Sequence, residues 1–401
     1  MTGSRLVVVG ASVAGLRAVE AAREAGFRGA ITLVGAEPYA PYDRPELSKT
    51  FLTAAPEPSP RVYRDHSELA GRLGVELLLG TPATRLDPGA RKLEAGGGLI
   101  AYDRLVIATG ARARTLPEGR RLGGVHTLRT LDDARALRRD LVRARQVVVI
   151  GAGFVGAEVA SSARRRGCAV TIVEREPVPL AAAFGARFGD VWRRLHERNG
   201  CDLRCGVSVT GLRGAGRVES VLLSDGTALD ADLVVAGVGA TPETGWLDGS
   251  GLEVDDGVLC DETLATRADG VYAAGDVARW RNPLYGRHMR VEHWTAAAEQ
   301  GAAAGRNAVT AGPGTPCAIV PYLWSDWHGV RIQFAGVAGG DEIEVIGDLG
   351  APRFVALHRS GDLLTGVLGV DSRAQVAAYR SLLRRGATWR EALAARRRVA
   401  P

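Results

Sequence analysis

Twice in this chain an unbroken run of aliphatic residues ends in a small-residue turn and passes at once into a helix-like pattern. The first copy is "RLVVVGASVAGLRAVEAAREAG", starting at Arg5; the second is "QVVVIGAGFVGAEVASSARRRGCAVTIVERE", starting at Gln146. Four or five apolar residues without polar alternation fit a strand covered on both faces of a parallel sheet. Gly10, Ser12 and Gly15 stand at the spacing of a dinucleotide fingerprint, and Gly151, Gly153 and Gly156 fill that spacing completely. The outer glycines permit the tight turn and the close helix–sheet packing, while the middle residue lets the backbone approach a pyrophosphate. Ser12 departs from glycine there, but it is small and its hydroxyl can bond a phosphate. A second apolar run follows each copy, "ITLVGAE" ending at Glu37 and "TIVE" ending at Glu174. An acid about 20 residues beyond the turn is where ribose hydroxyls are bound. An ordinary βα turn would explain each glycine but not the repeated acid. The expected fold class is therefore α/β, with two Rossmann-like dinucleotide-binding domains. A carboxylate at Glu174 would repel a 2′-phosphate and favour NADH over NADPH, a preference that the adjacent Arg175 moderates.

Bulk properties narrow the alternatives. A chain of 401 residues fits two or three domains, and 46% hydrophobic with 24% charged residues is ordinary for a soluble globular protein. No run approaches the ~18 apolar residues of a membrane helix. "MTGSRLVVVG" enters a strand almost at once, which leaves no room for a targeting peptide, so a cytoplasmic protein is expected. Cys168, Cys201, Cys205, Cys260 and Cys317 make no zinc spacing and no disulfide framework, and no metal is expected. The net charge of +6 points to an acidic partner. The arginines are scattered among acids without aromatic interleaving, which argues against nucleic acid. Only Lys49 and Lys92 are lysines among 51 basic residues. Lys49, within "YAPYDRPELSKTF", is either a chance survivor in a loop or a place that needs a compact ammonium rather than a planar guanidinium. Two further runs, "YDRLVIATGA" (102–111) and "ADGVYAAGDVARW" (268–280), lead from a strand into a small-residue turn. The second puts Asp276 at the strand's carboxyl end, where a short acid either holds a sugar or ribitol hydroxyl or caps a turn.

In chain order, "GASVAGLRA", "PYDRPELSK", "LVIATGA", "VIGAGFVGAEVA", "GVYAAGDV" and "VEHWTAAAEQ" resemble the two-dinucleotide-binding flavoproteins related to glutathione reductase, and most closely the FAD-dependent ferredoxin reductases. The resemblance covers essentially the whole chain. It implies FAD and NADH as cofactors. It also implies an FAD domain in two parts (1–112 and 240–317), an NAD domain between them (113–239) and a smaller α+β C-terminal domain (318–401). The implied FAD-binding positions are Gly10, Ser12, Ala14, Gly15, Glu37, Arg44, Lys49, Ala83, Thr109, Gly110, Arg129, Asp276, Glu292 and Trp294. Those for NAD are Gly151, Gly153, Phe154, Val155, Gly156, Glu158, Glu174 and Gly237. By the same resemblance Lys49 lies beside flavin N5 and is salt-linked to Glu158, and these two are the catalytic candidates. Glu46 stands where the family more often has a second proline. Arg44 and Arg129 are similar to family residues near the flavin or its phosphates; for each the alternative is a surface arginine. "TAAAEQGAAAGRNA" reads as a helix with Thr295 as its N-cap, whose positive end would favour reduced flavin. Trp294 either meets the flavin edge or is ordinary core.

Disulfide reductases of this superfamily carry a redox cysteine pair in the first FAD helix, and peroxide-reducing relatives carry a single one; residues 37–55 contain none. Electrons are therefore expected to leave the flavin directly for an external acceptor. Cys201 and Cys205, four apart on a strand, share a face and read as structural. From 318 onward, alternating strands with Gly and Asp turns precede a closing helix, "QVAAYRSLLRRG". Trp324 and Trp327 either line the electron exit or hold this domain in place. The resemblance implies an NADH:ferredoxin reductase that serves an acidic iron–sulfur ferredoxin and, through it, a haem-thiolate or Rieske-type oxygenase. Rubredoxin reductase is the main alternative. An NADH oxidase is disfavoured by the missing cysteine, and an NADH-sensing flavoprotein like apoptosis-inducing factor is the rival from another class.

Overall fold

A computed structural model describes residues 4–116 and 121–396. The chain forms two compact units, one of residues 1–43, 61–112 and 241–321, the other of residues 44–60, 113–240 and 322–401.

The first unit is built on a five-stranded parallel sheet. Its strand order is Val271–Ala273, Arg104–Ile107, Arg5–Val9, Ala30–Val34, Val75–Leu78. Leu6, Val7 and Val8 are fully buried, as strands covered on both faces require. Helix Val13–Glu24 leaves the first strand through Gly10 and crosses helix Trp294–Val309. The crossing is close because a Cβ on Gly301 would collide with the Ala14 carbonyl oxygen, and one on Gly305 with that of Ala18. Two boundaries differ from expectation. The second strand ends at Val34 rather than Glu37, because the chain leaves the sheet at Gly35, where an added Cβ would sit 2.6 Å from the Ala11 Cβ. The later helix begins at Trp294 with His293, not Thr295, as its N-cap. His293 is extended (φ −119°, ψ 133°), and its carbonyl accepts the first helical bond from Ala297 at 2.9 Å.

The second unit repeats the architecture. Its parallel sheet runs Cys201–Cys205, Ala169–Glu174, Gln146–Ile150, Leu233–Ala236, Val125–His126. Helix Phe154–Arg165 follows the central strand. The 44–60 segment is tied to this unit through its backbone. The buried Arg138 donates to the Phe51 and Ala54 carbonyls at 2.7 and 2.5 Å, and Ser162 Oγ donates to the Ser48 carbonyl at 2.6 Å. The C-terminal portion is an antiparallel five-stranded sheet in the order Tyr322–Trp327, Val330–Gly336, Leu363–Val370, Phe354–Ser360, Glu342–Gly347. Helices Arg373–Arg384 and Trp389–Ala395 follow it. An aromatic cluster of Phe184, Phe188, Trp192, Trp327, Phe334 and Phe354 fills its core. Trp327 is completely buried there, so it is core. Among the described residues no helix is long and apolar enough to cross a membrane.

Candidate functional site

The two glycine turns are built alike, and their differences are informative. Gly10 has φ +120° and Gly151 has φ +96°, in the region that favours glycine. A Cβ on Gly10 would run into the Ala108 carbonyl, and one on Gly151 into that of Gly237. Gly15 and Gly156 likewise press on the carbonyls of Gly10 and Gly151. Packing therefore accounts for the outer glycines of both turns. It does not account for Gly153, where an added Cβ would meet nothing within 4 Å and φ is an ordinary −75°. Among the described residues nothing requires a glycine at that position. A phosphate approaching the helix N-terminus does, so the second turn fits a dinucleotide.

The acids behind the turns are held in place. Glu174 Oε2 accepts from the Ala152 amide at 2.8 Å and Oε1 from the Glu176 amide at 2.9 Å. Arg175, next to it, pairs with Glu176 rather than with Glu174. Glu37 accepts from the Tyr42 hydroxyl at 2.6 Å.

The first unit holds the other candidates, Thr109, Gly110 and Asp276 among them just after strands of its parallel sheet. Ser12 is the N-cap residue of helix Val13–Glu24, and Ala14, its second residue, is buried. Thr109 Oγ1 donates to the Glu243 carbonyl and Gly110 accepts from the Glu243 amide, both at 2.9 Å. Asp276 is buried in a short 3-10 turn just after strand Val271–Ala273, and Arg290 donates to its carbonyl at 3.3 Å and to Glu292 at 2.6 Å. Ala83 opens the strand Ala83–Asp87 of a separate antiparallel meander, opposite Ala95. Trp294 Nε1 donates to the Tyr63 hydroxyl at 2.7 Å. Burial pushes that phenol's pKa well above its ordinary value. Tyr63 was not foreseen, since a tyrosine in "RVYRDH" carries no spacing signal. The His293 imidazole beside Trp294 is held neutral by burial, its pKa lowered to about 4.

Arg44, Lys49 and Arg129 fall in the second unit with the NAD candidates. Arg44 donates to the Arg129 carbonyl at 2.8 Å. The Arg129 amide bonds Asp133, which also closes the capping box of helix Leu131–Leu141. Phe154 packs on Phe184 and Trp327, Val155 is exposed, and the Gly237 amide bonds Ile150.

At the centre of this unit, Lys49 Nζ lies 2.8 Å from Glu158 Oε2 and 2.9 Å from the Pro45 carbonyl. Glu158 is only 6% exposed. A carboxylate so buried needs its oxygens satisfied, and two serines complete the set. Ser48 donates a very short bond to Oε2, and Ser325 donates to Oε1 at 2.5 Å while accepting from Trp327 Nε1 at 2.7 Å. The result is a line of donors, Trp327 to Ser325 to Glu158, with ammonium and serine on the far oxygen. Sequence reasoning missed both serines. Ser48 adjoins the lysine in "PELSK", whereas Ser325 lies 167 positions from Glu158, in a strand whose pattern shows only burial.

Comparison with known proteins adds lineage to geometry. The family described as pyridine nucleotide-disulphide oxidoreductase matches residues 4–301, and the reductase C-terminal family matches residues 322–400. The ferredoxin reductase component of chlorobenzene dioxygenase from Cupriavidus sp. (strain PS12) is 38% identical over 92% of this chain and 90% of its own length. Rubredoxin-NAD(+) reductase of Ectopseudomonas oleovorans is 36% identical over 82% of this chain and 86% of its own. The crystal structure of a ferredoxin reductase from Rhodopseudomonas palustris superimposes with a TM-score of 0.92 at 31% identity, covering 100% of this chain and 98% of that one. With two nucleotide turns, a buried lysine–glutamate pair and both family matches in register, the chain belongs to the pyridine nucleotide-disulphide oxidoreductase family and carries its reductase C-terminal domain.

Proposed function

We propose that this protein is an FAD-containing, NADH-dependent ferredoxin reductase that passes electrons singly to an acidic iron–sulfur protein, which supplies an oxygenase of haem-thiolate or Rieske type. FAD, when bound, accepts a hydride from NADH and releases its two electrons one at a time. The observation that carries the reading is the identity of the residues on the "PELSK" segment. Lys49 and Ser48, with no cysteine from 37 to 55, offer charge and hydrogen bonds rather than a thiol relay. The dioxygenase and ferredoxin reductases among its relatives agree with that reading.

On this proposal Gly10, Ser12, Ala14, Gly15, Glu37, Ala83, Thr109, Gly110, Asp276, Glu292 and Trp294 hold FAD, with Arg44, Lys49 and Arg129. Gly151, Gly153, Phe154, Val155, Gly156, Glu174 and Gly237 hold the nicotinamide nucleotide. The FAD domain comprises 1–112 and 240–317, the NAD domain 113–239 and the C-terminal domain 318–401. Glu174, its oxygens already oriented by backbone amides, accepts from the ribose hydroxyls of NADH and disfavours a 2′-phosphate. Glu158 fixes the ammonium of Lys49, and the two serines fix Glu158, so the charge near the reacting carbon and nitrogen is set before NADH arrives. Positioning of the two rings, not proton transfer, is what the chain would supply. A cytoplasmic location accompanies this reading.

The test is NADH-driven cytochrome c reduction with and without added small iron–sulfur proteins. Activity that appears only with a ferredoxin supports the reading. Transfer to rubredoxin alone would make it a rubredoxin reductase, the alternative that one relative's name favours. Slow flavin reduction and a long-lived charge-transfer complex with no turnover would make it an NADH sensor.

A further inference from the structure

Three metal-ligating side chains that the nucleotide chemistry does not use converge inside the second unit. His196 is on helix Gly189–Arg198, Cys201 opens strand Cys201–Cys205, and His328 is in the turn between strands Tyr322–Trp327 and Val330–Gly336. His196 Nδ1 lies 3.3 Å from His328 Nε2, and Cys201 Sγ lies 4.0 Å from the same nitrogen. All three atoms fall within 4.8 Å of one another. Tetrahedral zinc, with bonds of about 2.0–2.1 Å to nitrogen and 2.3 Å to sulfur, places two nitrogens about 3.3 Å apart and a nitrogen and a sulfur about 3.6 Å apart. The two edges that meet at His328 Nε2 thus match a zinc tetrahedron to within a few tenths of an ångström, and the cluster's ligand atoms all stay within 4.8 Å of one another.

We infer that His196, Cys201 and His328 form a binding site for a borderline-soft divalent cation, zinc foremost, with water as the fourth ligand. The donor set is imidazole, imidazole and thiolate, which such ions prefer to carboxylate oxygens. The scaffold holds the donors in place. His196 is fully buried and stacks on Trp327, with centroids 5.4 Å apart and rings 23° from parallel. The His328 backbone amide donates to Ser161 Oγ at 2.8 Å, which anchors a residue at φ +52° to helix Phe154–Arg165. Each neutral imidazole keeps a proton on one ring nitrogen, so metal binding breaks the His196–His328 hydrogen bond and leaves that proton on the ring nitrogen facing away from the ion. Cys201 is buried, which shields its thiol from solvent. Binding replaces the S–H bond by a sulfur–metal bond and releases one proton to solvent. The nearby Arg164 guanidinium donates to the Asn199 and Cys168 carbonyls at 3.1 and 2.5 Å.

The test uses chelator-treated, FAD-loaded protein titrated with Co2+, a tetrahedral probe whose visible d–d bands lie to the red of oxidised flavin absorption, followed by displacement with Zn2+. One Co2+ per chain with intense tetrahedral bands, bleached by Zn2+, is expected. X-ray absorption of the zinc-loaded wild-type protein should show one sulfur and two imidazoles. In Cys201→Ala and His328→Asn, both checked for retained FAD, affinity should fall by more than the roughly 10–100-fold that losing a mere supporting hydrogen bond costs. Asn tolerates the left-handed turn, so the second variant separates ligation from folding. Absent or substoichiometric binding by the wild type, a sulfur-free coordination shell, or unchanged affinity in both variants would each overturn the site.

Discussion

At the scale of single residues, Lys49 and Glu174 are the most informative. Lys49 is one of two lysines in an arginine-rich chain, and it sits 2.8 Å from a carboxylate that two serines also serve. Removing the ammonium leaves Glu158 with its serine donors, so Lys49→Ala should fold and retain FAD while flavin reduction by NADH slows by about 10-fold or more, a loss of over about 1.4 kcal/mol of transition-state stabilisation. Ser325→Ala removes a donor to Glu158 and the acceptor of Trp327 Nε1 but keeps the ammonium, and it should slow the same step less. Stopped-flow bleaching of the flavin separates the two variants, and unchanged rates in both would take this network out of the mechanism. Glu174→Ala should raise the NADPH to NADH ratio of kcat/KM, because an oriented carboxylate no longer meets the 2′-phosphate; a flat ratio would count against the nucleotide assignment. Lys49 was legible through the "PELSK" motif and its resemblance; its rarity in the composition alone left a chance survivor equally open. Ser325 was not, because a serine inside a strand has no spacing that betrays a buried partner 167 residues away.

At the scale of elements, the βα turns were legible in detail, since steric demand and sequence coincide there. Gly10, Gly15, Gly151 and Gly156 are each backed by a carbonyl that leaves no space for a Cβ. Gly153 is the exception, open on the side where a Cβ would project. Gly153→Val should therefore leave FAD content and thermal stability close to wild type and raise KM for NADH strongly, whereas Gly301→Val, driven into the Ala14 carbonyl across two packed helices, should cost stability and FAD together. Equal effects of the two variants on FAD content would contradict the distinction between packing glycines and ligand glycines. Element ends were less legible than element interiors. The helix expected to start after Thr295 starts two residues earlier, on an extended His293 that supplies no side-chain cap, so the usual cap chemistry pointed at the wrong residue. The C-terminal sheet shows how a titrating side chain can be placed in a strand without any polar signal. His358 is fully buried between Phe188 and Phe334, and burial lowers its pKa to about 4. Above the unfolded value of about 6.5 both states are neutral and stability is full. As pH falls from about 6.5 toward about 4 only the unfolded chain gains this proton, so stability declines by up to about 1.4 kcal/mol per pH unit and levels off below the folded pKa. His358→Leu should flatten that part of the melting-temperature profile relative to wild type, and parallel profiles would show that the ring is protonated in the fold.

At the scale of the whole molecule, the sequence property that bears on function is charge. A net +6 distributed over 401 residues leaves an excess of cationic surface, mostly arginine. Long-range attraction of this kind raises the encounter rate with an acidic partner and is screened over a Debye length that shrinks from about 30 Å at 0.01 M salt to about 10 Å at 0.1 M. The hydride step in a complex already saturated with NADH has no encounter left to accelerate, so it should be nearly indifferent to salt. The two half-reactions therefore carry opposite signatures in one titration. Between ~0.01 and ~0.5 M salt, the second-order rate constant for electron transfer to an acidic ferredoxin should fall by about 10-fold or more, while the first-order flavin reduction rate at saturating NADH stays within about 2-fold. If instead the ferredoxin rate were flat, docking would rest on apolar contacts and the excess arginine would be a composition bias without a partner. If both rates fell together, the salt would be acting on NADH binding or on the fold, and the charge would have to be assigned to the nucleotide sites.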